Sequence, residues 1–230
     1  MEHKKYLIIG LKCVLWLQKV NGQKILKILN KKFIYLISPN KIISRTFYND
    51  LNLVLKSNKV KFFQLRLKKE RKKRKVIIAK KILRICKKNK VKFIINDDPH
   101  LASKVKAHGC HLGQKDMNII NAKKILKNKI IGVTCHNSIK LAKNAYLNGA
   151  SYIALGSFFN TKTKKIIHKA NMQTLKKIKK SVSLPIVAIG GINEKNYKNL
   201  LLNKADLLAI SSYIWNNKKF KPHQAIKNLI

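Results

Sequence analysis

The sequence predicts an α/β fold of the (β/α)8 TIM-barrel type, and three observations carry that expectation. From residue 32 onward, short β-branched or aromatic runs alternate eight times with longer segments whose apolar residues recur every three to four positions. The short runs are apolar on both faces, as strands of a helix-covered parallel sheet must be. Each link between them is long enough for a helical crossover. A doubly wound open sheet is the alternative, but no GxGxxG follows the first strand, so the dinucleotide signature of that fold is missing.

Taken in order, the expected strands are FIYLIS (33–38), KFFQLRL (61–67), KFIIN (92–96), CHLG (110–113), IIGVT (130–134), YIALGSF (152–158), PIVAIG (185–190) and LLAISSY (207–213). Helical patterns lie between them, for example at 76–88, 139–149 and 194–204. The barrel domain is thus expected over 32–230. Residues 1–31 read as a short basic N-terminal extension with an amphipathic helix at about 15–31. Tyr6 to Leu17 superficially resembles a signal peptide, but Lys12 interrupts it, no small-residue cleavage site follows, and the run is too short to span a bilayer.

The 230 residues carry 52 Lys and Arg against 8 Asp and Glu, a formal net charge of +44, yet 46% are hydrophobic, enough to build a core. Lys, Asn and Ile dominate in the manner of a strongly AT-biased genome, so lysine abundance is weak evidence for nucleic acid. Aromatic residues are only 7%, and no Arg/aromatic-interleaved motif appears. A positive field still favours phosphorylated small molecules. Cys13, Cys86, Cys110 and Cys135 form no CxxC pair, so neither a zinc ribbon nor a redox dithiol is suggested and a reducing, cytoplasmic setting is expected.

Active sites of this fold lie at the C-terminal ends of the strands, so the residues expected there carry the functional reading. Alternation places Gln64, Arg66 and Lys68 on one face after the second strand, a set suited to a multiply charged anion. Asn96-Asp97-Asp98 follows the third strand and His111-Leu112-Gly113-Gln114-Lys115-Asp116 the fourth, so Asp97 and Asp116 are expected at one rim. Hard oxygen ligands in that arrangement suit Mg²⁺. Asp98 also fits a helix N-cap. Thr161, Thr163 and Lys164 after the sixth strand form an oxyanion cradle, and Gly190-Gly191 after the seventh allows close approach of a phosphate; Ser211-Ser212 adds hydroxyls after the eighth. No nucleophilic triad is expected: Cys135 and His136 are neighbours whose side chains diverge on a strand, and His111 reads as a satisfied core residue.

In sequence order, QLRLK, FIINDD, GCHLGQKD, IIGVTCH, GASYIALGSFFNTKTK and LPIVAIGGI resemble the motif series of the thiamine-phosphate synthase family, from about residue 33 to the C-terminus. That resemblance implies a transferase of thiamine biosynthesis, coupling hydroxymethylpyrimidine diphosphate to hydroxyethylthiazole phosphate with release of pyrophosphate. It implies that Gln64, Arg66, Lys68, Asn96 and Thr134 bind the pyrimidine substrate, that Asp97 and Asp116 hold Mg²⁺, and that Thr161, Thr163, Gly191, Ser211 and Ser212 bind the thiazole phosphate. Arg66, Lys68 and Lys164 would stabilise charge on the leaving diphosphate, so no side-chain nucleophile is needed.

The chain also departs from the family pattern. Asp98 replaces the Arg of an NDR motif, Thr134 stands where Ser is common, Ser157 and Asn160 replace prolines, no Gly occurs near 171, and Ser38-Pro39 stands where Asp is frequent. Related thiazole tautomerases share the barrel but usually lack the metal aspartate of LGQxD and the TxTK pair, both present here. The alternatives are a barrel that binds phosphorylated ligands without turnover, and a basic nucleic-acid-binding protein resting on charge alone. The sequence leaves monomer and homo-oligomer open.

Overall fold

The computed structural model describes residues 32–43, 46–161 and 168–229. The expected N-terminal helix, together with Thr163 and Lys164, lies outside the described residues. Eight parallel strands close into a barrel in chain order, so the expected (β/α)8 fold is what the chain adopts. They are β1 (Ile34–Ile37), β2 (Val60–Leu65), β3 (Lys92–Asn96), β4 (Gly109–Leu112), β5 (Ile130–His136), β6 (Tyr152–Gly156), β7 (Ile186–Ile189) and β8 (Leu207–Ile210). Among the described residues the helices are α1 (Thr46–Leu55), α2 (Lys72–Lys88), α3 (Pro99–Lys104), α4 (Ile119–Leu126), α5 (Ile139–Leu147), α6 (Met172–Ser181), α7 (Tyr197–Leu202), α8 (Ser212–Trp215) and α9 (Pro222–Lys227).

Strand alternation divides the core into two layers. Outward residues such as Phe63, Phe93, Ile153 and Leu208 join Leu51 of α1, Ile82 of α2, Leu175 of α6 and Leu200 of α7 in the layer between sheet and helices. Inward residues including Tyr35, Phe62, Ile94, Tyr152, Val187 and Leu207 fill the barrel itself. Gly132 is required inside: a Cβ there would fall 1.9 Å from Cζ of Tyr152, so only glycine lets that ring lie across β5.

Several element ends differ from the expected ones, each for a local reason. The second strand stops at Leu65, because the Arg66 amide leaves the ladder and donates to Ser38 Oγ at 2.9 Å. The eighth stops at Ile210 rather than 213, since Ser212–Trp215 turns into α8 and Trp215 Nε1 donates to the Ile37 carbonyl at 2.6 Å. The fifth runs two residues further, to His136, through a bulge after Thr134. The helix expected from 194 starts at Tyr197, because Asn196 Oδ1 first accepts from the Asn193 amide at 2.9 Å to close a turn.

Candidate active site

The open rim at the C-terminal ends of β2, β3 and β4 holds a cleft of about 520 Å³ whose walls include Lys68, Asn96, Asp97, Lys115 and Asp116. Asp97 sits just past β3 with a left-handed backbone (φ 65°), its amide donating to the His111 carbonyl of β4 at 2.8 Å. Its carboxylate pairs with Lys68 Nζ at 3.2 Å. Asp116 Oδ2 accepts from the Gly113 amide at 2.7 Å, which folds the β4–α4 loop back over the rim. Burial and then the neighbouring Asp97 carboxyl push the Asp116 carboxyl above the usual carboxylate range, while Gly113 and Lys68 pull the other way.

Two carboxyls within hydrogen-bond reach of each other repel when both ionise, and a divalent cation between them relieves that repulsion. Among the described residues no group of three or more His, Cys, Asp and Glu converges. A cation here would therefore take two carboxylates and complete its shell with water and substrate oxygens, which is the usual habit of Mg²⁺. Asp98 does something else: its Oδ1 accepts from the Leu101 amide at 2.8 Å and caps α3, directly before Pro99.

Gln64 and Asn96 lie deeper, at the inward ends of β2 and β3, with Gln64 Nε2 donating to Asn96 Oδ1 at 3.1 Å. Gln64 is buried, whereas Lys68 is exposed. Arg66 turns away from both, toward the β1 side, where Nη1 donates to Asn40 Oδ1 at 3.2 Å. The expectation that Gln64, Arg66 and Lys68 share one face is thus corrected, because strand alternation ends at Leu65 and the last two sit on a loop. They still surround the same rim from two sides.

Below the rim, buried Tyr35 and Tyr152 and half-buried His111 and Thr134 form a continuous chain. Tyr35 Oη meets Tyr152 Oη at 2.8 Å, Tyr152 Oη meets His111 Nδ1 at 3.0 Å, and His111 Nε2 meets Thr134 Oγ1 at 2.8 Å. Burial pushes the imidazole down to about 4, so His111 is neutral and satisfied, as the sequence suggested. Tyr35 and Tyr152 escaped the sequence reading. The signal was present in their inward alternation with Ile37 and Ala154.

A matching family model carries the description thiamine monophosphate synthase and spans residues 34–214, from β1 into α8. The chain belongs to the thiamine monophosphate synthase family. A thiamine-phosphate synthase of Pelagibacter ubique is 67% identical over 87% of this chain and 97% of that protein. Another, from Clostridium acetobutylicum, is 37% identical over 82% and 89%. Among solved structures, the thiamine phosphate pyrophosphorylase of Pyrococcus furiosus superposes with a TM-score of 0.77 at 29% identity, covering 88% of this chain and 95% of that one.

In this member of the thiamine monophosphate synthase family the remaining strand-end residues occupy the opposite side of the rim. Gly190 and Gly191 both have positive φ (109° and 62°), and each is hemmed in by the β6 loop. A Cβ on Gly190 would lie 1.9 Å from Ser157 Oγ, and one on Gly191 would lie 2.3 Å from the Asn160 carbonyl oxygen. The two glycines therefore serve first to let the β6 and β7 loops touch. Asn196 Nδ2 donates to the Gly191 carbonyl at 3.0 Å and holds that turn. Ser211 Oγ donates to the Ser38 carbonyl at 3.2 Å, Ser212 opens α8, and Thr161 is half-buried on the β6 loop. His136 and His168 pack beside this loop with ring centroids 4.3 Å apart and planes tilted by 39°, and Asn137 Nδ2 donates to the Lys169 carbonyl at 2.9 Å.

Proposed function

We propose that this chain is a thiamine-phosphate synthase that joins hydroxymethylpyrimidine diphosphate to hydroxyethylthiazole phosphate and releases pyrophosphate. The observation that carries the reading is the convergence of Asp97, Asp116 and Lys68, from three successive strand ends, on one cleft of a chain belonging to this family. Its substrates are small phosphorylated molecules, and the field of a +44 chain draws them in.

Asp97 and Asp116 would hold Mg²⁺, whose chemistry there is to neutralise the diphosphate as it leaves. The pyrimidine CH₂–O bond breaks, its electron pair departs with the pyrophosphate, and the thiazole nitrogen then donates its lone pair to the methylene carbon. Lys68 and Arg66 approach the diphosphate from two sides, and Lys164 completes the positive set. Their task is to stabilise charge that grows on the leaving oxygens. Gln64 and Asn96, already bonded to each other, offer their remaining amide groups to the pyrimidine ring along with Thr134. Thr161, Gly191, Ser211 and Ser212, on the far side of the rim, receive the thiazole phosphate together with Thr163.

A barrel that merely binds these ligands would be stabilised by them without forming product. The deciding experiment supplies the full-length protein with both substrates and Mg²⁺ and follows thiamine phosphate, with chelator as control. Product that appears with Mg²⁺ and vanishes with chelator supports the synthase. A rise in melting temperature without product supports the binding-only barrel. For localisation, no described helix is long and apolar enough to cross a membrane, and with buried free thiols at Cys86, Cys110 and Cys135 a cytoplasmic enzyme is the consistent reading.

A further inference from the structure

The chain of four side chains inside the barrel has a direction, and the direction can be worked out by counting protons. The His111 ring carries its N–H on Nε2 alone, or on Nδ1 with or without a second on Nε2. Suppose it is on Nδ1. Tyr152 then accepts from the imidazole, and the single bond between Tyr35 and Tyr152 uses only one of their two hydroxyl protons. If Tyr152 donates, the proton of Tyr35 has no acceptor; if Tyr35 donates, the proton of Tyr152 has none. Both hydroxyls are buried, and among the described residues Tyr35 has no hydrogen-bond partner other than Tyr152. An orphaned buried donor costs the desolvation of that group, whereas an unfilled lone pair costs less.

Suppose instead the proton is on Nε2. Tyr35 donates to Tyr152, Tyr152 donates to Nδ1, and Nε2–H donates to Thr134 Oγ1, so both tyrosine protons and the imidazole proton have acceptors. The Thr134 hydroxyl, already accepting, keeps its own proton for a second partner. Thr134 lies half-buried near the end of β5, at the inward mouth of the barrel.

We propose that Tyr35 and Tyr152 lock His111 in its Nε2–H tautomer, and that His111 thereby acts as a positioning residue which turns the Thr134 hydroxyl into a fixed hydrogen-bond donor. Resting on the proposed synthase function, the acceptor is a lone pair of the pyrimidine diphosphate, either a ring nitrogen or a diphosphate oxygen. The barrel core thus sets the polarity of one contact at the substrate. Gly132 is part of the device, since only its missing Cβ lets the Tyr152 ring lie where it reaches His111. The two rings stack at 5.6 Å between centroids with 16° between planes, which holds the imidazole edge toward Thr134.

Nitrogen-15 NMR of histidine-labelled full-length protein at neutral pH tests the tautomer without any substrate, with the His111 signals assigned by their loss in His111→Gln. The expected result is a pyrrole-like Nε2 and a pyridine-like Nδ1. Tyr35→Phe keeps that pattern, because Nδ1 remains the sole acceptor for the Tyr152 proton, whereas Tyr152→Phe weakens it. A pyrrole-like Nδ1 in the unsubstituted protein overturns the proposal even if the enzyme is a synthase, and absence of any synthase activity refutes the functional reading whatever the tautomer. In kinetics, Thr134→Val and Tyr152→Phe each lower kcat/KM about tenfold, and Thr134→Ser retains it. In the double variant the Tyr152 substitution costs nothing beyond Thr134→Val. Full additivity, or a Thr134→Val enzyme as active as the original, refutes the role given to Thr134.

Discussion

Replacing His111 by Gln removes an imidazole from the barrel interior while leaving a side chain of comparable length. The imidazole, packed among Tyr35, Tyr152 and Thr134, is held down to about 4 by desolvation, against 6.5 for a free side chain. As pH falls below 6.5 the unfolded chain takes up a proton that the folded chain refuses until about 4. The unfolded state binds more protons over that interval, so stability rises with pH there and is lost on acidification. Above 6.5 both states are neutral at this site and it contributes no pH dependence. The loss attributable to His111 alone is about 2 kcal/mol by pH 5 and about 3 kcal/mol by pH 4. Urea unfolding of both proteins at steps from pH 7 to pH 4.5 measures it. His111→Gln should be the less stable at pH 7, having lost fitted partners in Tyr152 and Thr134, and the gap should close as pH falls because only the original protein pays for keeping an imidazole neutral. Parallel stability curves would refute the assignment of His111 as a neutral group.

Three further outcomes follow from the rim. Asp97→Asn and Asp116→Asn should each abolish Mg²⁺-dependent turnover with little change in melting temperature, measured side by side by product formation and thermal unfolding; loss of fold would mean that they act structurally. Asp98→Ala should cost about 1 kcal/mol in denaturant unfolding, as the loss of an N-cap does, while leaving turnover in place. Lys164→Ala should lower turnover on the order of a hundredfold, whereas Lys218→Ala, equal in charge change, should not; steady-state kinetics of both separates a placed ammonium from bulk charge.

Much of the fold was legible because a parallel barrel writes itself as short doubly apolar runs, and KFIIN at β3 matches to the residue. Strand ends were less legible where a hydrogen bond from elsewhere in the chain decides them. Nothing in QLRLK says that Ser38 will take the Arg66 amide, and nothing in ISSYI separates strand from a helical turn until Trp215 finds the Ile37 carbonyl. The pair of acids at the cleft was readable because acids are scarce. Of the eight, Glu2 lies outside the described residues, Asp50 sits on α1, Glu70 pairs with Arg74, Asp98 caps a helix, Asp206 Oδ2 accepts from the Ile186 amide at 2.8 Å, and Glu194 accepts from Tyr213, which leaves Asp97 and Asp116 facing the cleft. The Tyr35–Tyr152–His111–Thr134 chain was not readable, since its members come from four strands and meet only on closure of the barrel.

The central claim is that this cleft joins two phosphorylated substrates and expels pyrophosphate, and product stoichiometry tests it most directly. Full-length protein is mixed with hydroxymethylpyrimidine diphosphate, hydroxyethylthiazole phosphate and Mg²⁺, and thiamine phosphate and pyrophosphate are quantified in the same samples over time. The account predicts that both appear in equal amounts and that neither forms in Asp116→Asn. Pyrophosphate without thiamine phosphate, or no product from the unsubstituted protein, would contradict it.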